Sequence, residues 1–431
     1  MPELEKYRVI ATIGRASSRS HMKKPAKRQQ PSSGSRSTAI TLFIFAFLAF
    51  YLTTNAVHQH FDYTFRIAAA FLQGRLGLAD TPPLWLNEMI PADGRFYSVF
   101  PLGAVLVNVP LALLQQIGLI HEFPAHLLAA AIAAACVFSF FQLSTVASIS
   151  MSRRALLALF PMFGTWSWCN LGFGGAWQIA LGFAVLGETA ALYFTLVRPA
   201  PLLAGASFAL AFGNRTELLL TFPFFVHFLL LRGTPFSPGT FIRRVGDNWR
   251  TLAIFAAIPL LLGIATAAYN FARFGSVFDF GYSRIPNLLN EPWYRHGLFS
   301  PKAIPWNTYK MLFEGFTDIP EFPYIRPHAF GCSIFLASPF LCLLFREGGR
   351  HRMVAWIVIA LLTGTLWCHG NPGGWQFSYR YGMVLLPWMF LLLLENGPAK
   401  ISLTEMALFT ASLAINGIAT YQFLWTNQIH P

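Results

Sequence analysis

The sequence predicts an all-α polytopic integral membrane protein with about eleven or twelve transmembrane helices and a long first external loop containing juxtamembrane helices. Three observations carry that prediction. Of 431 residues, 55% are hydrophobic and 11% charged, whereas a soluble domain is nearer a quarter charged. Mean hydropathy is +0.49. Apolar runs long enough for a helical span, roughly 20 residues, recur along nearly the whole chain. Lipid offers no partner to free backbone groups, so each run is expected to be a helix. Runs such as LLAAAIAAACVF do not alternate, as barrel strands would.

Residues 1–38 hold nine Lys or Arg and two acids, a net of +7 within the chain's +13. The stretch is rich in Ser, Pro and Gln, and is expected to be a disordered cytoplasmic tail. Nucleic-acid binding by this tail is the sharper reading of the charge, and no nucleic-acid partner is expected. Met22, followed by Lys23 and Lys24, is an alternative start. No small-residue cleavage site follows the first apolar run, so that run reads as a span and not as a signal peptide.

The membrane domain is expected over 39–425. Candidate spans are 39–57, 99–119, 125–150, 154–170, 177–197, 201–213, 217–232, 251–272, 329–345, 353–369, 379–395 and 404–425. The basic loops 232–250 and 346–352 belong inside by the positive-inside rule. Loops 58–98, 273–328 and 369–378 then lie outside. Twelve spans put 232–250 on the wrong side if the N-terminus is cytoplasmic; eleven restore it. The expected place to lose one is the pair 201–213 and 217–232, split only by Asn214-Arg215-Thr216-Glu217 and readable as one interrupted span. That choice leaves Arg153 and Arg154 outside, against the charge rule. The five cysteines are scattered in apolar runs without metal or disulfide spacing, so they read as packing residues.

Candidate chemistry lies at the edges of the spans. NAVHQHFDYTFRIAAAFLQGRLGL (55–78) sets His58, His60, Asp62 and Arg66 beside the first span, ahead of an amphipathic juxtamembrane helix. Asp62 reads either as a solvated carboxylate or as a base or ligand anchor at the membrane surface. His58 and His60 are weak candidates for a divalent metal, since their spacing matches no known site. A loop of about forty residues is longer than a connector needs, and 81–106 adds Trp85, Glu88, Asp93-Gly94, Arg95 and Tyr97. Arg215 and Glu217 read either as an ion pair holding two helices or as groups facing a cavity. Arg273, Asp279, Tyr282 and Arg284 follow a span. Trp375, Arg380 and Tyr381 stand at the mouth of another, where Arg380 reads as an interfacial anchor or as part of an anion site. Arginine suits forked phosphate recognition. The chain has no GxxxxGK[ST], nucleotide-type DxD, HExxH or GxSxG, and LGFGGAW (171–177) lacks the context of a dinucleotide fingerprint. An activated donor is therefore expected to come from the membrane.

Four features, in order, give a resemblance: Asp62 in HFDYTFRIAAAFLQGRLGL; YSVFPLG (97–103) entering the second span; GNRTELLLTFPFF; and NFARFGSVFDFGY followed by GWQFSYRYGMVLLP. Over residues 40–395 the chain resembles the C-type (GT-C fold) polytopic glycosyltransferases that use polyprenyl-phosphate sugars, the group of the protein O-mannosyltransferases and lipid A aminoarabinose transferases. The resemblance implies a plasma (inner) membrane, multi-pass transferase. Its donor would be a polyprenyl-phosphate sugar, and its acceptor a lipid or cell-envelope glycan outside. Asp62 would be base or acceptor-orienting carboxylate. Arg380, Arg284 and Arg215 would hold the lipid phosphate, with Arg66, Glu88, Arg95, Tyr97, Glu217, Tyr282, Trp375 and Tyr381 around the substrates. Many relatives carry an Asp-Glu pair where this chain has Asp62-Tyr63. No sizeable soluble domain follows the spans, so acceptor recognition is expected to rest on the membrane part and its loops. A transporter or flippase of a lipid-linked or anionic substrate is the alternative, though no internal repeat supports it. A non-catalytic assembly factor is a third reading.

Overall fold

Most long apolar runs fold as helices, because the backbone can satisfy its own polar groups there; the expected span 329–345 instead holds a four-residue helix, Ile334–Ala337, and a 3₁₀ stretch, Pro339–Phe345. The computed structural model describes residues 33–54, 61–231 and 238–429. His58, His60, Met22 and most of the expected tail lie outside the described residues. The described residues from 38 onward form one compact unit. A first helix, α1 (Ser33–Thr53), begins within the stretch expected to be tail.

The helices that follow are α2 (Tyr63–Leu72), α3 (Leu102–Leu106), α4 (Val109–Gln116), α5 (Ala125–Leu143), α6 (Met151–Phe163), α7 (Ser167–Gly172), α8 (Ala176–Leu192) and α9 (Pro201–Asn214). Then come α10 (Phe222–Leu231), α11 (Pro238–Asp247), α12 (Trp249–Phe274), α13 (Ile304–Leu312), α14 (Ile334–Ala337), α15 (Arg352–Trp367), α16 (Leu386–Glu395) and α17 (Leu403–Trp425). Among the described residues, five helices are long and apolar enough to cross a membrane: 34–53, 125–146, 176–197, 249–274 and 403–425. The molecule is a mostly helical, membrane-embedded protein. Prolines 161 and 259 sit inside α6 and α12, as neighbouring helices allow in a membrane bundle.

Helix contact uses small residues, since lipid gives no hydrophobic drive for helices to associate. A Cβ on Gly205 of α9 would stand 2.0 Å from the Phe255 carbonyl oxygen of α12. A Cβ on Gly103 of α3 would meet the backbone of Gly213 at 2.5 Å. Around these approaches lies a cluster of rings, with Phe208 centred 5.7 Å from Phe222 and 5.4 Å from Phe225.

Those ring contacts revise one expectation. Phe208 precedes the break at 214–217 and Phe225 follows it. A continuous helix rises about 1.5 Å per residue, which would carry the two far apart. Their contact shows that the chain turns back between α9 and α10 and does not run on as one straight helix. The expected span 99–119 is divided into α3 and α4. Its α4 lies on α2, with Asn108 Nδ2 donating to Thr64 Oγ1 at 3.1 Å. The chain then brings Phe123 to Phe65, centroids 5.1 Å apart.

The opposite end is defined by charge. Arg153, fully buried, donates to Glu405 Oε1 (3.0 Å) and to the Leu393 carbonyl (2.8 Å). Arg346 reaches the same carboxylate at 3.0 Å. Glu405 also completes a capping box with Ser402 at the start of α17. His351 meets Glu395 at 2.6 Å beside Phe228.

Two small hairpins stand at the end where 99–119 begins. In the first, β1 (Ile90–Ala92) pairs with β2 (Arg95–Tyr97), Ala92 facing Arg95. Asp93 and Gly94 have φ of 49° and 71°, the two-residue turn that Asp-Gly favours. In the second, β3 (Phe316–Asp318) pairs with β4 (Ile325–Pro327).

Candidate active site

Three adjoining cavities, of about 280, 400 and 270 Å³, share Tyr282 and His369. Four segments supply their chemistry: the stretch before β1, the loop after α12, the break between α9 and α10, and the loop between α15 and α16. The first cavity holds Glu88, Tyr282, Glu291, Tyr294, His369, Arg380 and Tyr381. The second and third hold Arg215 and Glu217 and reach Leu219, Leu220 and Phe299. Those three apolar side chains are 49%, 37% and 62% exposed.

Arg380 is the central cation. It begins a 3₁₀ turn, Arg380–Leu385, before α16, and Gln376 Oε1 accepts its backbone N–H at 3.1 Å. Its side chain is buried, and its Nε lacks a hydrogen-bond partner. Among the described residues no carboxylate lies within ion-pair distance of it. Gly374 leaves room beside it; a Cβ there would stand 3.7 Å from Nη2. Arg215 differs, because Glu217 Oε1 accepts from its Nε at 2.8 Å. Both guanidinium carbons lie over the Tyr381 ring, 5.0 Å (Arg215) and 5.3 Å (Arg380) from its centre, a placement that ring quadrupoles favour. The break in the helix at Arg215, with extended backbone (φ −138°, ψ 98°), brings this pair to the cavity.

Glu88 and Glu291 are the carboxylates that share Arg380's cavity. Trp177, the second residue of α8, donates its indole N–H to Glu88 Oε2 at 2.8 Å. Burial pushes the Glu88 carboxyl up to about 7, against the pull of Arg380 and the Trp177 N–H, and Glu291 adds to the rise. Burial likewise raises the Tyr282 and Tyr294 phenols, which stay protonated donors.

Asp62 lies elsewhere. It precedes α2, pairs with Arg66 Nε at 2.7 Å, and lines a separate cavity of about 760 Å³ with Arg66, Arg75 and Trp85. A link joins the two regions: Tyr63, next to Asp62, donates from its hydroxyl to Asn87 Oδ1 at 3.2 Å, next to Glu88.

Of the residues singled out in the sequence, the structure brings together Glu88, Arg215, Glu217, Tyr282, Arg380 and Tyr381. Four others do not line these cavities. Arg284 is half-exposed and paired with Asp279 at 2.8 Å. Arg95 is exposed in the hairpin, Tyr97 packs on Phe274, and Trp375 packs on Phe173 and Phe423. Sequence reasoning missed Trp177, Tyr294 and His369. Trp177 closes the LGFGGAW segment, and His369 opens the NPGG loop, but neither pattern marks a partner far along the chain. Among the described residues no three His, Cys, Asp or Glu gather as metal ligands would.

In comparison with known proteins, no family model, no curated protein and no solved structure matches the chain.

Proposed function

We propose that this protein is a membrane glycosyltransferase that moves a sugar from a polyprenyl-phosphate donor to a lipid or cell-envelope acceptor outside. The observation that carries this reading is the buried, unpaired Arg380 in a polar cavity that adjoins an apolar one. A phosphate with a long hydrocarbon chain has the same two parts. Arg380 binds the phosphate, and Arg215 and the Tyr282 and Tyr294 hydroxyls assist. The chain leaves past Leu219, Leu220 and Phe299.

In the reaction an acceptor oxygen bonds to the anomeric carbon. The bond from that carbon to the phosphate oxygen breaks, and polyprenyl phosphate leaves with the electron pair. The acceptor proton passes to Glu88. A base that titrates near working pH serves this step best, and Glu88 does so at about 7. The sequence suggested Asp62 for this role; the reading moves it to Glu88, which shares Arg380's cavity. Phosphate is already a good leaving group, so positioning and charge stabilisation carry much of the catalysis.

The reading includes a topology. Eleven segments cross, and the first loop runs from 58 to 124. The end bearing Arg153, Arg346 and the 232–250 loop is then cytoplasmic, with the N-terminus. The cavities open outside, in a plasma (inner) membrane. Moving the non-crossing segment to 99–119 puts Arg153 and Arg154 inside, where the charge rule wants them.

The test is binding of a labelled polyprenyl phosphate to the purified chain. Arg380→Ala should weaken it by at least about tenfold, and Arg284→Ala, at an exposed and paired position, should not. Equal loss in both variants, or no binding at all, contradicts the reading.

A further inference from the structure

We infer that the cavity beside Asp62 is a second binding site, and that it takes a neutral saccharide. At about 760 Å³ it has room for two or three sugar rings, and it shares no residue with the Arg380 cavities. Its lining decides the ligand class. Asp62, Asp80 and Glu122 oppose an anion, and Arg66 and Arg75 oppose a cation. Gln73, Gln115 and the histidines 121 and 126 make it a poor bed for a hydrocarbon chain. A sugar fits: its hydroxyls both donate and accept, and its C–H face packs on an indole.

Two of the lining side chains also carry buried donor atoms that are unsatisfied. The Trp85 indole nitrogen and Arg75 Nε have no hydrogen-bond partner. Buried polar groups are rarely left so, and hydroxyl oxygens supply what both lack. Arg66 holds the other groups in place. It pairs with Asp62 at 2.7 Å, and its guanidinium carbon lies 5.9 Å from the Trp85 ring centre.

The site's place beside the transfer centre follows from the Tyr63–Asn87 hydrogen bond, which ties the residue after Asp62 to the residue before Glu88. A saccharide bound against Asp62 lies one side-chain layer from the proposed base. Its role as the acceptor's binding site rests on the transferase reading; binding itself does not.

The experiment titrates maltotriose, mannotriose and N-acetylchitotriose into the purified full chain, with binding read by saturation-transfer NMR. At least one should bind saturably. Trp85→Ala should weaken it about tenfold, and Gln73→Ala should weaken it too. Trp85→Phe should keep most of it, and Arg380→Ala should leave it unchanged. Gel filtration and a melting curve check the fold of each variant. Gln73 is exposed, so its variant decides the matter if Trp85→Ala fails to fold. No binding of any of the three, binding indifferent to Trp85→Ala and Gln73→Ala, or equal loss in Arg380→Ala overturns the site. Intact saccharide binding with no sugar transfer counts against the transferase reading alone.

Discussion

Glu88 carries more of the account than any other side chain. Its carboxyl titrates at about 7 instead of 4.5 because burial outweighs Arg380 and Trp177. As a base it works only when ionised. Transfer should therefore fall as pH drops through about 7, and Glu88→Gln should lose activity roughly 10²–10⁴-fold above that pH, where the parent's base is ionised, and should not show the parent's fall below it. Stability moves the other way. A raised carboxyl pKa means that the folded chain holds the proton more tightly than the unfolded chain. The stabilisation is full below about 4.5 and lost as pH rises through about 7. Melting curves should show Glu88→Gln gaining on the parent between about pH 5 and pH 8. A constant difference would mean that Glu88 does not titrate in that window. The sequence named Glu88 as a binding residue and Asp62 as the base, because the stronger pattern surrounds Asp62. Nothing local says that Arg380, far along the chain, shares a cavity with Glu88 and not with Asp62.

Among the elements, 99–119 is the one whose sequence misleads. It is apolar and of spanning length, and hydropathy cannot tell a crossing helix from a pair that folds back. What decides is a polar contact between distant segments, Asn108 to Thr64, and the return of Phe123 to Phe65. The α9–α10 hairpin misleads in reverse, because a short polar break looks like a fault in one helix. Single cysteines at Ile117 and Gly239, in a background freed of the five native ones, separate the cases. A membrane-impermeant thiol reagent added from outside should label position 117 and not 239. Labelling of both, or of 239 alone, contradicts the fold-back. At the other end Glu405 serves two basic partners and one helix cap. Glu405→Ala leaves Arg153 buried without its charge partner, so unfolding should be easier by roughly 3–5 kcal/mol. A melting temperature within a degree or so of the parent, by the usual scale of such shifts, would mean that the cluster holds little.

For the whole molecule, composition alone announced a helical membrane protein, because hydropathy acts residue by residue. The order of charges gives the expected sidedness of the two ends. The cavities were not legible, since they are built from four segments that only the fold brings together. In the proposed reading the organisation is a basic cytoplasmic end, a packed bundle, and an outer end with two cavity systems, one for a lipid phosphate and the other for a saccharide. The most direct measurement is transfer of labelled sugar from polyprenyl-phosphate donors in membranes holding equal amounts of the parent, Glu88→Gln or Arg380→Ala. The account predicts transfer by the parent, with a loss of roughly 10²-fold or more in each variant. Transfer that persists in both variants, or that none of the three proteins catalyses with any donor, would contradict it.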